Sequence, residues 1–295
     1  GNGRNESLIL SRQAGSIDQL SFDIRLGRFR LHNIHAVLSS SRERHLAGHR
    51  LEVSLPASIR LGVSETVVYS GRPTDWSYLL PFGSYYANQY NENDDDNVLW
   101  ALDWKIPLRK GLIFYGEFLV DDFQYEDRGE APDRLGFNLT LEGLLYAGAR
   151  EVEWEIAYTW IDIYTYAHKD SMLTRYTAGE GSTSDQLIGS SLGPDSDRWE
   201  IRVGVPVTSR ILCRAGGSFT RHGEGSDLRE WIRGTDPGLP FPSGEVIEET
   251  DLYLTVTLDL GRGSSVSGGA GLRSISGGEG SAEDGHGFLG LILDF

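Results

Sequence analysis

The stretch Glu151-Val-Glu-Trp-Glu-Ile-Ala-Tyr-Thr-Trp160 decides the fold. Val152, Trp154, Ile156, Tyr158 and Trp160 occupy every second position, with Glu151, Glu153, Glu155, Ala157 and Thr159 between them. A residue period of two makes this a β-strand with one apolar and one charged face. The grammar recurs along the chain. Val98, Trp100, Leu102, Trp104 and Ile106 oppose Asp103 and Lys105; Leu112, Phe114, Gly116, Phe118 and Val120 oppose Tyr115, Glu117 and Asp121; Leu252, Leu254, Val256, Leu258 and Leu260 oppose Asp251, Thr255 and Asp259. Thirteen such runs lie at roughly 19–27, 29–39, 47–55, 57–69, 97–106, 111–122, 134–145, 150–160, 198–206, 209–221, 248–260, 264–275 and 284–295, and a weaker run at 6–12 brings the expected number to about fourteen.

Connections alternate in length. Short ones near 28, 56, 107–110, 146–149, 207–208 and 261–263 are interleaved with longer ones at 13–18, 40–46, 70–96, 123–133, 161–197, 222–247 and 276–283. Short turns at one end and long loops at the other describe an all-β, transmembrane, antiparallel up-and-down β-barrel with short periplasmic turns and long extracellular loops. A single domain over 1–295 with both chain ends on the short-turn side is expected. The soluble alternative, a β-sandwich or cupin-like domain, shares the alternation. Loop lengths, the aromatics Tyr69, Trp160 and Trp199 toward the long-loop side, and the C-terminus favour the membrane. There Gly287-Phe-Leu-Gly-Leu-Ile-Leu-Asp-Phe295 resembles the β-signal read by the outer-membrane insertion machinery, with Phe288 where a polar residue is usual. Within the run Ile59, Leu61, Val63, Glu65, Val67, Tyr69 the carboxylate would face lipid, so a β-bulge over Gly62 to Glu65 is expected to turn it inward.

Composition narrows the chemistry. Among 295 residues, 27 Lys and Arg stand against 43 Asp and Glu, a net charge of −16 that argues against nucleic acid as a partner. Lys105, Lys110 and Lys169 are the chain's lysines, which excludes a polybasic anchor, and the single Cys213, on the apolar face of its strand, allows no internal disulfide. No run approaches the length of an apolar transmembrane helix, and Gly1 to Asn5 carries no leader pattern, so any signal peptide was removed or lay upstream. No nucleophile elbow, metalloprotease helix or phosphate-binding loop is present, and the seven histidines make no metal-ligand spacing with one another, so no catalytic residue is assigned.

Two loops carry binding chemistry. In 70–96, Trp76, Tyr85, Tyr86 and Tyr90 are interleaved with Asn88 and Gln89, a set suited to stacking on sugar rings and bonding their hydroxyls. Loop 161–197 repeats it with Tyr164, Tyr166 and His168. The alternative is loops packing their own hydrophobes over the barrel mouth. Asn91-Glu-Asn-Asp-Asp-Asp-Asn97 offers Asp94, Asp95 and Asp96 to calcium, against the plainer reading of a solvated acidic loop. Arg60, Asp103, Glu117, Asp121, Glu153 and Arg202 fall on lumen faces.

Ordered patches then resemble the Wzi-like capsule assembly proteins: Gly3-Arg-Asn-Glu-Ser-Leu-Ile-Leu-Ser11, His49-Arg-Leu-Glu52, Leu61-Gly-Val-Ser-Glu65, Tyr78-Leu-Leu-Pro-Phe82, Asp96-Asn97, Tyr115-Gly-Glu-Phe-Leu-Val-Asp-Asp-Phe123, Tyr164-Thr-Tyr-Ala-His168 and Leu192-Gly-Pro-Asp195. The resemblance implies a non-catalytic bacterial outer-membrane barrel, in contact with outer-membrane lipid, that binds surface polysaccharide and supports capsule attachment. Family members carry a substantial region before the Arg-Asn patch, so the chain is expected to be the C-terminal part of a longer protein. The runner-up is a porin-like diffusion channel, and a structural envelope scaffold is a third reading.

Overall fold

The computed structural model describes residues 7–292 apart from 12–13, 15–16, 93, 95, 123–130, 149, 169–171, 230, 233–237, 262 and 279. Its strands are β1 (Asp18–Leu26), β2 (Phe29–Ser39), β3 (Arg44–Ser54), β4 (Arg60–Tyr69), β5 (Asn97–Arg109), β6 (Leu112–Asp122), β7 (Arg134–Ala147), β8 (Arg150–Ile161), the two-residue pieces β9 (Thr177–Ala178) and β10 (Gln186–Leu187), then β11 (Ser196–Pro206), β12 (Ile211–His222), β13 (Ile247–Gly261), β14 (Ser264–Gly277) and β15 (Gly280–Ile292). Two helices, α1 (Trp76–Leu79) and α2 (Tyr85–Glu92), lie between β4 and β5. Apart from β9 and β10, which pair with each other, thirteen strands form one sheet in chain order, every neighbour antiparallel. Among the described residues no ladder joins β1 to β15. The chain makes the antiparallel meander of an up-and-down barrel, and no described helix is long and apolar enough to cross a membrane.

The two faces separate as alternation requires. Leu252, Leu254, Val256, Leu258 and Leu260 of β13, Ile156 of β8 and Trp199, Ile201 and Val203 of β11 are exposed on the outer wall. Their neighbours in sequence point inward, where Glu155, Thr159, Asn138 and Thr140 are buried. Trp154 lies outside, packed flat over Gly143, where any side-chain carbon would collide with its indole ring. One row of outer-wall residues runs across the sheet through paired positions Ile24, Leu31, Leu51, Val63, Leu102, Phe118 and Phe137.

Inside, toward the long-loop end, Leu46, Val68, Leu99, Ala101 and Leu119 of the wall pack against Leu8, Tyr166, Tyr176 and Ile188. This core fills the upper lumen. The weak run at 6–12 is therefore no fourteenth strand: the described part, from Ser7 to Ser11, runs inside. The amides of Leu8 and Ile9 donate to the Glu117 carboxylate at 3.0 and 3.3 Å, the hydroxyls of Tyr166 and Tyr176 donate to the carbonyls of Leu8 and Ile9 at 2.7 and 2.6 Å, and Ser11 N donates to Ile188 O at 2.8 Å. Its backbone is satisfied by side chains and a loop, not by a strand neighbour.

Three further expectations change. The connection at 276–283 is a tight turn in which Gly277 pairs with Gly280, and Gly278, at the first turn position, takes the positive φ that two-residue hairpins favour. With thirteen strands, β1 starts at the long-loop end and β15 finishes at the short-turn end, so the ends do not share a side. The β-signal's last residues, 293–295, lie outside the described residues.

The third change concerns Glu65. The ladders of β4 with β3 and β5 run without a register shift, so no bulge turns it inward. It stays on the outer wall, beside His49 and Trp100, and is buried there because the α1–α2 segment folds down over it. Its carboxylate accepts from Tyr86 N at 2.9 Å and Ser84 Oγ at 3.2 Å, and its other oxygen sits 3.3 Å from His49 Nε2. A charge that lipid would reject is spent at the start of α2, where free amides and the helix dipole favour it. We expect Glu65→Ala to loosen α1–α2 from the wall by about 1 kcal/mol, the typical value of a lost helix cap. Proteolysis of the native protein within 70–96 should then accelerate severalfold while the sheet's thermal transition holds; unchanged protection of this segment would contradict the assignment.

Candidate functional site

The segment 70–96 builds its own small fold on the outer wall. Asp75 starts α1 by accepting from Ser77 N at 2.9 Å, and Pro81 ends it by holding Leu80 extended. Ser84 then opens α2, its Oγ 3.3 Å from Ala87 N. Tyr78 and Tyr85 point to the wall and pack with Tyr69, Val67 and Ala47, their rings 5.3 Å apart. Tyr85 also meets the His49 ring at 4.4 Å. Because successive residues of a helix diverge, Tyr86 faces outward where Tyr85 faces in, and Tyr90 follows one turn later on the outward side.

An arginine locks the base. Arg72 donates to Asp96 and Asp75, pairs with Asp94 at 3.3 Å, and lies over the Tyr69 ring at 5.0 Å. Tyr78 OH donates to the same Asp96 carboxylate at 2.6 Å. Burial alone would lower the Arg72 pKa, but these carboxylates raise it above the usual guanidinium range. Burial, then the adjacent Asp96 charge, push the Tyr78 hydroxyl well up, and burial does the same for Tyr85. Burial pulls the other way on Asp75, yet hydrogen bonds from Ser77 and Arg72 hold its carboxyl below the usual range. Of the acidic loop, Asp94 and Asp96 are engaged by the Arg72 guanidinium, while Asp95 lies outside the described residues. Among the described residues no three His, Cys, Asp or Glu side chains form a metal cluster.

The expected sugar set divides in two. Tyr86, Gln89 and Tyr90 come together with Asp94 around a shallow hollow of about 480 Å³. Trp76 is exposed on the same segment. Asn88 and Gln89 brace it, Asn88 Nδ2 donating to Ser77 O at 3.4 Å and Gln89 Nε2 to Asp96 O at 2.8 Å. Tyr85, Tyr164 and Tyr166 are buried and present no face to a ligand outside. Tyr166 belongs to the lumen filling: its amide donates to Asp121 at 2.6 Å, and its ring stacks on Tyr176. His168 is held by Thr174, 3.0 Å from Nδ1.

Arg60, Asp103, Glu117, Asp121, Glu153 and Arg202 lie on the face of the sheet opposite its outward apolar rows. Asp103 takes two bonds from Arg50 at 2.9 and 2.7 Å, Glu117 holds the N-terminal segment, and Arg202 reaches Glu155 at 2.7 Å and Glu200 at 2.8 Å. Arg60 is half-buried opposite Lys105. Below the filled part of the lumen, Glu142, Glu153, Glu155, Arg202, Arg214 and Tyr253 surround a cavity of about 370 Å³. Sequence reading missed Arg44, which is fully buried and donates to the carbonyls of Leu173, Arg175, Thr177 and Gly179 and to Asp185, tying residues 173–185 to the start of β3. An arginine at the head of a strand carries no signal of such a role. Asp75, in contrast, stands before Trp76 as a legible helix start.

No family model matches this chain, and no curated protein matches it. Among solved structures it resembles Wzi of Escherichia coli, described as an outer membrane protein involved in group 1 capsule assembly and a carbohydrate-binding β-barrel. The two share 16% of residues and superpose with a TM-score of 0.63 over 96% of this chain and 62% of that one. This chain thus spans less than two thirds of the Wzi chain and has the fold of its β-barrel.

Proposed function

We propose that this chain is a barrel of the bacterial outer membrane that binds surface polysaccharide on its exterior and helps retain capsule, without turning the sugar over. The observation that carries the reading is the contrast between the two ends of the aromatic chemistry: the lumen is packed with Leu8, Tyr166, Tyr176 and Ile188, whereas Tyr86 and Tyr90 stand open beside Gln89 and Asp94. A sugar ring offers an apolar face and a rim of hydroxyls. Two tyrosine rings one helical turn apart supply the first, and an amide and a carboxylate supply acceptors and a donor for the second.

A channel would need a continuous water path, and the packed upper lumen opposes it. In planar bilayers we expect the chain to show no steady open steps. Stable, salt-dependent steps of porin size would overturn the lectin reading in favour of diffusion.

Each stacked ring should contribute about 1 kcal/mol, so Tyr86→Ala or Tyr90→Ala should weaken polysaccharide binding about fivefold and the pair about thirtyfold. Purified capsular polysaccharide titrated into the detergent-solubilised protein reads this directly. Unaltered affinity in the double variant would reject the hollow as the site. Tyr85→Ala and Tyr164→Ala are poor probes because both rings are buried, and their loss would disturb packing rather than contact with the glycan.

A further inference from the structure

The α1–α2 segment lies on the outside of the sheet at a height the ladders define. Leu51, Val63 and Leu102 form one outward row of exposed apolar residues, and the next row toward the long loops, about 7 Å along the strands, is His49, Glu65 and Trp100, already covered by α2. On β1, the positions level with that covered row and the one above it are Phe22 and Leu20, both exposed and apolar. The apolar band of the wall therefore continues to the height of the segment, and the segment replaces part of it.

What the segment shows outward is itself apolar. Trp76 is 80% exposed, Leu80 61% and Phe82 78%, on a piece of chain pinned from beneath by Glu65, Tyr78 and Arg72. Rigid aromatic and leucine side chains with no protein partner, continuous with a lipid-facing wall, match the boundary between headgroups and acyl chains. We propose that Trp76, Leu80 and Phe82 enter the outer leaflet, making the α1–α2 segment an interfacial anchor seated on the barrel wall. The inference rests on the membrane location proposed above and not on sugar binding. It also places the Tyr86–Tyr90 hollow beside the bilayer surface, within reach of glycan chains where they emerge from the membrane.

The test uses a Cys213→Ser background carrying one cysteine labelled with an environment-sensitive dye, reconstituted in vesicles. Phe82→Cys is the probe, Leu254→Cys on β13 the wall reference and Leu228→Cys, in an exposed loop, the water reference. We expect the label at 82 to emit to the blue of that at 228, to be quenched by a lipid nitroxide placed near the headgroup, and to resist aqueous iodide. Iodide quenching at 82 equal to that at 228 overturns the proposal, as does protection from iodide without lipid quenching, which would mean another macromolecule covers the face. Failure of lipid quenching at 254 would instead strike the membrane reading itself. Trp76→Ser with Phe82→Ser should reduce quenching of a label at Leu80→Cys if these side chains insert together.

Discussion

Each strand of this sheet has to satisfy two surroundings at once, and the period of two is the constraint on which everything else depends. Outward residues are largely apolar and exposed, inward residues face one another across the interior, and a one-residue slip would exchange them along a whole strand. The continuous ladders keep the outward row from Ile24 to Phe137 in line across seven strands. Glu65, a carboxylate in the middle of an outward apolar run, shows how firm the constraint is. Rather than distort the ladder, the chain brings a helix start down to meet it.

Filling the lumen solves a related problem. A wide antiparallel sheet leaves an interior too large for its own side chains, and here residues 7–11 and, from the connection after β8, Tyr166, Tyr176 and Ile188 are drawn in to occupy it. Their backbones cannot go unpaired inside. Glu117 and the hydroxyls of Tyr166 and Tyr176 serve the N-terminal segment, and Arg44 serves the loop with donors to four carbonyls. Polar side chains are thus the framework of the filling, and the aromatics that hold it are lost to external ligands. That division leaves Tyr86 and Tyr90 as the ring surface open to a polymer.

Much of this was legible in the residues themselves. Alternation over 151–160 and its repeats fixes the strands, their facing and the meander, since those depend only on the local period. What was hidden depends on contacts distant in sequence. Residues 6–12 alternate like a strand, yet their partners are Glu117 and Ile188, more than a hundred positions away. Tyr85 and Tyr86 are adjacent and chemically alike, and a helix too short to announce itself sends one to the wall and the other to the surface. The pairing of the aspartates at 94 and 96 with Arg72, more than twenty positions before them, carries no local signal either. Gly278, inside what reads as a long connection, sits at the corner of a tight turn.

The account stands on a sealed lumen and an external binding surface, and amide hydrogen exchange of the reconstituted protein, with and without capsular polysaccharide, tests both together. It requires Leu8, Ile9 and Ser11 to be protected to the level of the sheet in either condition, and the amides of 86–92 to slow when polysaccharide is added. Rapid exchange at Leu8 and Ile9, or a response to polysaccharide confined to the lumen with 86–92 unmoved, would contradict it.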